Sequence, residues 1–233
     1  MSKPDSREPV DIDFPMLLAS SVHDIKNSLS MLLASLDEVI DVSNEDRPEH
    51  RKNYSILRGE ASRINNSLIY LLGLYRLQNG QLTLNVNEIF VADFLEEQIA
   101  SQQLLFKVNE IAVSVICPDN LTGFFDENLI AGVINNILVN CAKYTKDSIT
   151  IEAKQQGDYL RLSISDNGSG YPQHIIEKLN NKNRSIDFHS GSTNLGLFFS
   201  EEIAALHRCK DRKGSIQLLN PEEGGGRFIL DIP

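Results

Sequence analysis

Two segments near the start of the chain carry apolar residues at alternating intervals of three and four. The first segment covers residues 18–39 and the second covers residues 54–75. This spacing places the apolar side chains along one side of an α-helix, and a polar break with Pro48 separates the two segments. The pattern therefore predicts two helices that form an antiparallel hairpin. Because each apolar stripe is too wide for one hairpin to cover, we expect two copies of the chain to form a homodimer with a shared four-helix bundle.

The periodicity changes after Asn79-Gly80, a dipeptide that is typical of turns. Beyond this point we predict strands at 81–90, 111–117, 148–153, 159–165, 215–219 and 227–232, and helices at 91–106, 126–144 and 195–206. Strands interleaved with helices predict a mixed sheet that is covered by helices on one face. The expected fold class is α+β, with an N-terminal tail (1–14), the helical hairpin (15–79) and an α/β sandwich (80–233).

The composition limits the partners and the compartment. The chain has 32 acidic and 22 basic residues among its 233, and the formal charge of −10 disfavours binding to nucleic acid or to an anionic membrane surface. The three cysteines are far apart in the sequence, which argues against disulfides or a zinc site and fits a reducing compartment. The sequence shows no export signal and no uninterrupted apolar segment of about 18 residues. We therefore expect a cytoplasmic protein without a membrane span.

His23 follows Val22 of the first stripe, so on a helix its ring lies at the solvent edge of the apolar face. A neutral imidazole can accept a phosphoryl group on Nε2 near neutral pH, and Asp24 can accept a hydrogen bond from Nδ1–H and fix the tautomer. Asn27 shares the face of His23. A single histidine on a helix surface is more often only solvated, so a catalytic role depends on the other segments. The remaining histidines stand singly and are interpreted as structural or solvated: His50, His174, His189 and His207.

Asn136, Asn140 and Lys143 are spaced by four and three residues, so they share one face of the predicted helix at 126–144. The amide oxygen of Asn140 suits Mg²⁺, which prefers oxygen ligands. Lys143 can neutralise phosphate charge, and Tyr144 can lie against a nucleobase. The solvated side of an ordinary amphipathic helix would show the same residues, and this alternative stays open for the segment alone.

Asp166 follows a predicted strand and begins the run Asp-Asn-Gly-Ser-Gly. An aspartate in this place can accept a hydrogen bond from the exocyclic amine of adenine. Gly168 and Gly170 would let the base approach the backbone, because they lack Cβ. Alone, the run is also typical of an ordinary turn.

A further segment, 191–197, opens the predicted helix at 195–206. Free backbone N–H groups and the helix dipole favour phosphate at such a place. The candidate contacts are Gly191, Thr193, Leu195, Gly196 and Leu197.

Taken in order, these segments resemble the sequence boxes of two-component sensor histidine kinases. The run from His23 to Asn27 resembles the H-box, and 136–145 resembles the N-box. The run from Asp166 to Gly170 fits the Asp-x-Gly-x-Gly pattern of a superfamily that also includes gyrase subunits, mismatch-repair ATPases and a chaperone family. The resemblance implies an ATP-binding domain of the Bergerat type, the use of ATP and Mg²⁺, and phosphorylation of His23. It also implies that Asp24 supports this reaction and that Asn27 positions water for removing phosphate from a partner.

For such a kinase, the resemblance implies that a response-regulator receiver domain accepts the phosphoryl group. We also expect a soluble upstream sensor protein, since no sensor domain fits ahead of the hairpin. Ser28 and Asn194 stand where the family usually has proline and glycine, and the segment before 191 lacks a Phe-containing box. Asn194 and the missing Phe-containing box leave open a second hypothesis, a non-catalytic phosphorelay adaptor or a response-regulator phosphatase with a degenerate ATP-binding domain. A clamp-type ATPase would not explain His23 beside the apolar stripe of a hairpin.

Overall fold

The structure is a computed structural model, and it describes residues 82–180 and 195–233 together with ten single residues nearer the N-terminus. All ten are helical: Asp24, Ile25, Asn27, Ser28, Met31, Leu32, Ala61, Ile64, Tyr70 and Gly73. Six of them belong to the segment 18–39 and four to the segment 54–75. His23, the hairpin as a unit and its dimer contacts lie outside the described residues, so the hairpin and the homodimer stay predictions.

The described ranges contain five helices and nine strands. The helices are α1 (Val91–Ser101), α2 (Gln103–Val108), α3 (Glu127–Tyr144), α4 (Gln173–Asn180) and α5 (Leu195–Leu206). The strands are β1 (Val86–Phe90), β2 (Ala112–Ile116), β3 (Thr122–Asp126), β4 (Ser148–Gln156), β5 (Tyr159–Asp166), β6 (Arg208–Cys209), β7 (Arg212–Lys213), β8 (Ser215–Leu219) and β9 (Arg227–Ile232). None of these five helices combines the length and the apolar character that a bilayer span requires.

Five strands form the main sheet, in the order β2-β4-β5-β9-β8. Strands β2 and β4 are parallel, and the other neighbours are antiparallel. The short turn between β4 and β5 contains Gly157 in a left-handed conformation, with φ of 60°. Strands β1 and β3 form a separate antiparallel ribbon, and β6 and β7 form a second one. The mixed sheet of the sequence prediction is confirmed.

Helices cover one face of this sheet. Side chains alternate between the faces of β4 and β5, and the inward ones are buried: Ile149, Ile151, Leu162 and Ile164. Helix α3 buries its own apolar side in the same core, through Ile130, Val133, Ile134, Ile137 and Leu138. The opposite face of the sheet carries an ion pair, in which Arg161 Nε lies 2.7 Å from Asp231 Oδ1. This arrangement leaves the polar side of α3 facing away from the sheet.

Asp126 and His207 join the start of α3 to the end of α5. The backbone N–H of Asp126 donates to His207 Nε2 at 3.0 Å, so Nδ1 carries the ring hydrogen and donates to Ile203 O at 2.9 Å. Burial lowers the pKa of His207, against the opposing influences of the Ile203 carbonyl and of Asp126. The carboxylate of Asp126 also caps α3 by accepting the N–H of Leu129. The interpretation of His207 as structural is therefore confirmed.

Two predicted elements differ in the structure. The helix predicted at 91–106 is wrong as one element, because it is broken at Gln102, whose N–H bonds to Ile99 O at 3.0 Å in a tighter turn. Ser101 Oγ also bonds locally, to Gln98 O. The strand predicted at 81–90 begins only at Val86, because its antiparallel partner β3 ends at Asp126, which pairs with Val86. Four further elements were not predicted from the sequence: β3, α4, β6 and β7.

Candidate nucleotide-binding site

The carboxylate of Asp166 lies at the end of β5, where it is fixed by the backbone around it. The N–H of Asp166 donates to Gly226 O at 2.9 Å, and Asp166 Oδ1 accepts the N–H of Gly168 at 2.8 Å. The second oxygen, Oδ2, has only the thiol of Cys141 as a donor among the described residues, at a long 3.8 Å. Burial is the main cause that raises the pKa of the Cys141 thiol, and the negative charge of Asp166 raises it further. The thiol therefore keeps its S–H. Oδ2 therefore retains capacity to accept a further hydrogen bond.

The glycines after Asp166 are required by close backbone contacts. A Cβ on Gly168 would lie 2.0 Å from the carbonyl oxygen of Tyr144, at the end of α3. Gly170 has φ of 75°, and a Cβ there would lie 2.9 Å from Gly225 O. The loop that carries Asp166 is thus pressed between the end of α3 and the turn that joins β8 to β9. No other residue type fits at these two positions without a backbone shift.

The polar side of α3 connects two parts of the site. Near its middle, Asn136 lies against α5, and a Cβ on Gly196 would come 2.3 Å from Asn136 Oδ1. At its end, Tyr144 lies against Gly168. Asn140 is about one helical turn from each of these residues, on the same side of the helix. Its half-buried amide has no hydrogen-bond partner among the residues that the structure describes.

Lys143 and Tyr144 extend from the end of α3 into solvent. The Tyr144 side chain is 53% exposed, and Lys143 Nζ lies 5.1 Å from the centroid of its ring. This distance is that of a cation–π contact. In the described part of the chain, Lys143 has no carboxylate partner. Its positive charge is therefore available beside an exposed aromatic face.

The predicted phosphate segment is described only from Leu195 onward. Leu195 is buried at the start of α5, and Gly196 and Leu197 are half-buried. The Ser200 hydroxyl donates to Gly196 O at 2.8 Å. Of these residues, Gly196 lies next to Asn136 of α3. Gly191 and Thr193 lie outside the described residues, as does His23, while Asp24 and Asn27 are described only as helical residues of the N-terminal region.

The sequence interpretation missed the residues that pack against the Asp166 loop from the turn between β8 and β9. Asn220 exchanges two hydrogen bonds with the backbone of Tyr171, each of 2.8 Å. Burial, followed by the neighbouring Cys141 and Asp166, raises the pKa of the Tyr171 hydroxyl. A Cβ on Gly225, whose φ is 80°, would lie 1.8 Å from Asp166 O. The run Gly224-Gly225-Gly226 before the last strand was the available signal.

Comparison with known families shows which class of domain the C-terminal part of the chain resembles. Residues 125–233 match the family described as histidine kinase-, DNA gyrase B-, and HSP90-like ATPase. The match begins at the end of β3 and includes α3, the Asp166 loop and α5. Over these residues the chain is similar to ATPase domains of that class.

Curated relatives narrow the class further. The chain is 28% identical over 228 residues to the sensor protein KdpD of Escherichia coli (strain K12), an alignment that covers 93% of the chain and 24% of KdpD. It is 23% identical over 227 residues to the hybrid signal transduction histidine kinase D of Dictyostelium discoideum, covering 92% of the chain and 14% of that protein. The chain thus spans less than a quarter of the length of these two relatives. The chain is thus similar, over most of its length, to proteins that are named sensor proteins and histidine kinases.

Solved structures show the same fold. The histidine kinase AdeS of Acinetobacter baumannii superposes with a TM-score of 0.62 and 17% identity, covering 90% of this chain and 96% of AdeS. A crystal structure of full-length ShkA in complex with AMPPNP gives a TM-score of 0.60 and 13% identity, covering 94% of this chain and 45% of ShkA. The α/β ATP-binding fold is therefore shared with kinases of this type.

Proposed function

We propose that the chain is a cytoplasmic histidine autokinase that phosphorylates His23 from Mg-ATP and transfers the phosphoryl group to an aspartate of a response-regulator receiver domain. The single observation that carries the proposal is that the carboxylate of Asp166 is fixed in place but has one oxygen that can accept a further hydrogen bond. Its Oδ1 is held by Gly168 N–H, while Oδ2 has one weak thiol donor. An acceptor that is fixed at the edge of the core and incompletely satisfied suits the exocyclic amine of adenine.

The residues around Asp166 fit the rest of the nucleotide. Gly168 and Gly170 hold the Asp166 loop close against Tyr144 and Gly225, rather than leaving space for the base as the sequence suggested. Tyr144 offers an exposed ring for stacking. Near the middle of α3, Asn136 lies next to the start of α5, which carries Leu195, Gly196 and Leu197, and we place the phosphates there. Gly191 and Thr193 are proposed as further phosphate contacts. Lys143 offers charge for the phosphates. Oxygen ligation by Asn140 and the phosphates suits Mg²⁺, which neutralises the charge that develops there.

The described residues offer no cluster of carboxylate, thiol or imidazole groups for a metal ion. They contain no cluster of three or more His, Cys, Asp or Glu side chains that would hold a metal ion. A magnesium ion in the proposed site would therefore depend on phosphate oxygens and water for most of its ligands. We accordingly expect the metal and the nucleotide to bind together.

The proposed reaction is an in-line phosphoryl transfer. His23 uses the lone pair of Nε2 to form a bond to the γ-phosphorus, the bond from that phosphorus to the bridging oxygen breaks, and ADP leaves. Asp24 accepts the proton that the ring releases from Nδ1. Asn27, four residues after His23, would position water for the reverse task of removing phosphate from the regulator. The predicted hairpin would supply the dimer contacts and the docking surface, and a soluble sensor protein would supply the stimulus.

The proposal is tested by incubating the native chain and two variants with Mg-ATP that is radiolabelled on the γ-phosphate. We expect acid-labile, alkali-stable label on the native chain and none on His23→Ala. His174→Ala is the matched control, since His174 is an exposed histidine on α4, and it should be labelled like the native chain. Label that persists on His23→Ala would contradict the proposal.

The second candidate is a non-catalytic phosphorelay adaptor or a response-regulator phosphatase. It is favoured by Asn194, which stands where the family generally has glycine, and by Ser28, which is 1% exposed where the family usually has proline. Calorimetric titration with Mg-ATP separates the two functions. A kinase binds the nucleotide with measurable heat, whereas a scaffold with a degenerate site gives none.

A further inference from the structure

We propose that Asn167 is a positioning residue for the nucleotide. Its side chain ties the end of α3 to the end of β5, which carries Asp166. The inference rests on the proposed nucleotide site and assigns a role to a residue that lies between two of its members, Asp166 and Gly168. Asn167 itself does not reach into that site. Within the described part of the chain, all of its side-chain hydrogen bonds go to residues 145–148, in the loop from α3 to β4.

The carbonyl oxygen of the Asn167 side chain collects several donors from this loop. Three consecutive backbone N–H groups, those of Lys146, Asp147 and Ser148, each lie 3.2 Å from Asn167 Oδ1. The Thr145 hydroxyl lies 2.8 Å from both Asn167 Oδ1 and Ser148 O, and its single hydrogen serves one of them at a time. Successive N–H groups that converge on one oxygen form a concave site for an acceptor.

The nitrogen of the same amide completes the attachment. Asn167 Nδ2 donates to Asp147 Oδ1 at 2.7 Å. Both ends of one amide are therefore satisfied within a loop of four residues. This loop immediately follows Tyr144, the last residue of α3.

This attachment controls the spacing between the two halves of the nucleotide site. Asn140, Lys143 and Tyr144 belong to α3, whereas Asp166 belongs to β5. The backbone of Gly168 already touches Tyr144 O so closely that a Cβ would lie 2.0 Å from it. Releasing Asn167 from the loop would let α3 and the Asp166 loop separate. Adenine would then meet its acceptor and its stacking surface at the wrong distance.

Swapping the side chains of Asn167 and Asp147, singly and together, tests this role. Asn167→Asp keeps an acceptor for the three N–H groups but places a second carboxylate against Asp147, which repels it. Asp147→Asn keeps an acceptor for Asn167 Nδ2. The double variant Asn167→Asp/Asp147→Asn restores a donor and an acceptor in reversed order. Each chain is titrated with Mg-ATP by calorimetry, and the unfolding midpoint is measured without nucleotide.

We expect Asn167→Asp to raise the Kd for Mg-ATP by about tenfold. Asp147→Asn should bind like the native chain, and the double variant should recover most of the native affinity. A purely structural tie would lower only the unfolding midpoint of Asn167→Asp and leave the Kd of the folded protein unchanged. That result would overturn the proposal, as would a double variant that binds no better than Asn167→Asp.

A milder variant covers the case in which Asn167→Asp does not fold. Asp147→Ala changes an exposed residue and removes only the acceptor of Asn167 Nδ2, so it should raise the Kd by about threefold. An unchanged Kd in Asp147→Ala would count against the positioning role. Failure of the proposed function looks different, because the native chain itself would then give no heat with Mg-ATP.

Discussion

The ring of Tyr70 stacks on the ring of Phe199, with centroids 4.7 Å apart and planes inclined by 30°. Tyr70 belongs to the predicted second hairpin helix, and Phe199 belongs to α5. Gly73, one turn after Tyr70, faces the same ring, since a Cβ there would lie 2.7 Å from Phe199 Cε2. Phe199 also faces Gly132 of α3. The helix that begins beside the proposed phosphate segment is therefore in direct contact with a helical residue of the N-terminal region.

The first prediction concerns this aromatic pair. Truncating either ring with Tyr70→Ala or Phe199→Ala should lower the free energy of unfolding by about 3–5 kcal/mol, because both rings are buried. A double-mutant cycle should give a coupling energy of about 0.5–1.5 kcal/mol. As a control, Tyr70→Ala combined with Phe94→Ala should be additive, because Phe94 contacts Phe125 instead. Equal coupling in both cycles would refute a direct interaction between Tyr70 and Phe199.

The second prediction compares two adjacent glycines. Gly224 and Gly225 both have positive φ, of 94° and 80°. Among the described residues, an added Cβ would have neighbours within 4 Å at Gly225 but not at Gly224. Gly224→Ala should lower the free energy of unfolding by about 1–2 kcal/mol, the strain of a left-handed residue. Gly225→Ala should lower it by more than about 3 kcal/mol, because its Cβ would push the turn away from Asp166.

The same two glycine variants also test whether the contact between Gly225 and Asp166 affects Mg-ATP binding. Gly225→Ala should weaken Mg-ATP binding by at least about tenfold, whereas Gly224→Ala should bind like the native chain. Denaturant unfolding and calorimetry measure the two effects separately. Identical stability and affinity in the two variants would show that the contact between Gly225 and Asp166 has no influence on the site.

The third prediction is a pH dependence that arises from His207. Burial holds its pKa in the folded protein below the value near 6.5 of the unfolded chain. Above about pH 6.5 the ring is neutral in both states, and its contribution to stability is complete. As the pH falls below this value, the unfolded chain takes up a proton that the folded chain does not, so stability decreases.

Urea unfolding between about pH 7 and about pH 5 measures this dependence. His207→Gln cannot titrate, so its free energy of unfolding should vary less with pH in this range, although its stability is lower throughout. His174→Gln changes an exposed histidine and should keep the native slope. If His207→Gln also keeps the native slope, the group responsible is not His207.

The fourth prediction concerns Asp24, which is helical and half-buried. If this carboxylate accepts the ring proton of His23, Asp24→Ala should slow autophosphorylation by roughly 10²- to 10⁴-fold, as expected for loss of a general base. The affinity for Mg-ATP should not change, because Asp24 is not part of the nucleotide site. The initial rate of radiolabel incorporation measures the first effect. A native rate in Asp24→Ala would remove this role.

Local periodicity was sufficient for the elements that bury one regular face. Helix α3 is the best case: its apolar residues repeat at helical spacing, and the predicted bounds of 126–144 differ from the structure by one residue. Asp166 likewise ends a strand, as predicted, because Leu160, Leu162 and Ile164 alternate along β5. The sequence therefore located the two elements that carry most of the proposed site.

Contacts between distant parts of the chain were not predictable in this way. Strand β3 contains Gly123, a weak strand former, and it packs where a Cβ would meet the Leu160 side chain at 2.6 Å. Asn220 and Tyr171 form their paired hydrogen bonds across a separation of 49 residues. Such residues gain their role only from the folded arrangement, and a spacing pattern within one segment contains no signal for them.

The placement of β9 has a consequence for synthesis of the protein on the ribosome. This strand is translated after β5 and β8, yet it lies between them, and within the described residues β8 pairs with no other strand. Until Arg227–Ile232 have been translated, the inward side chains of β5 lack one neighbouring strand and β8 lacks any. The nascent domain consequently presents apolar surface to chaperones until the codons for Arg227–Ile232 have been read.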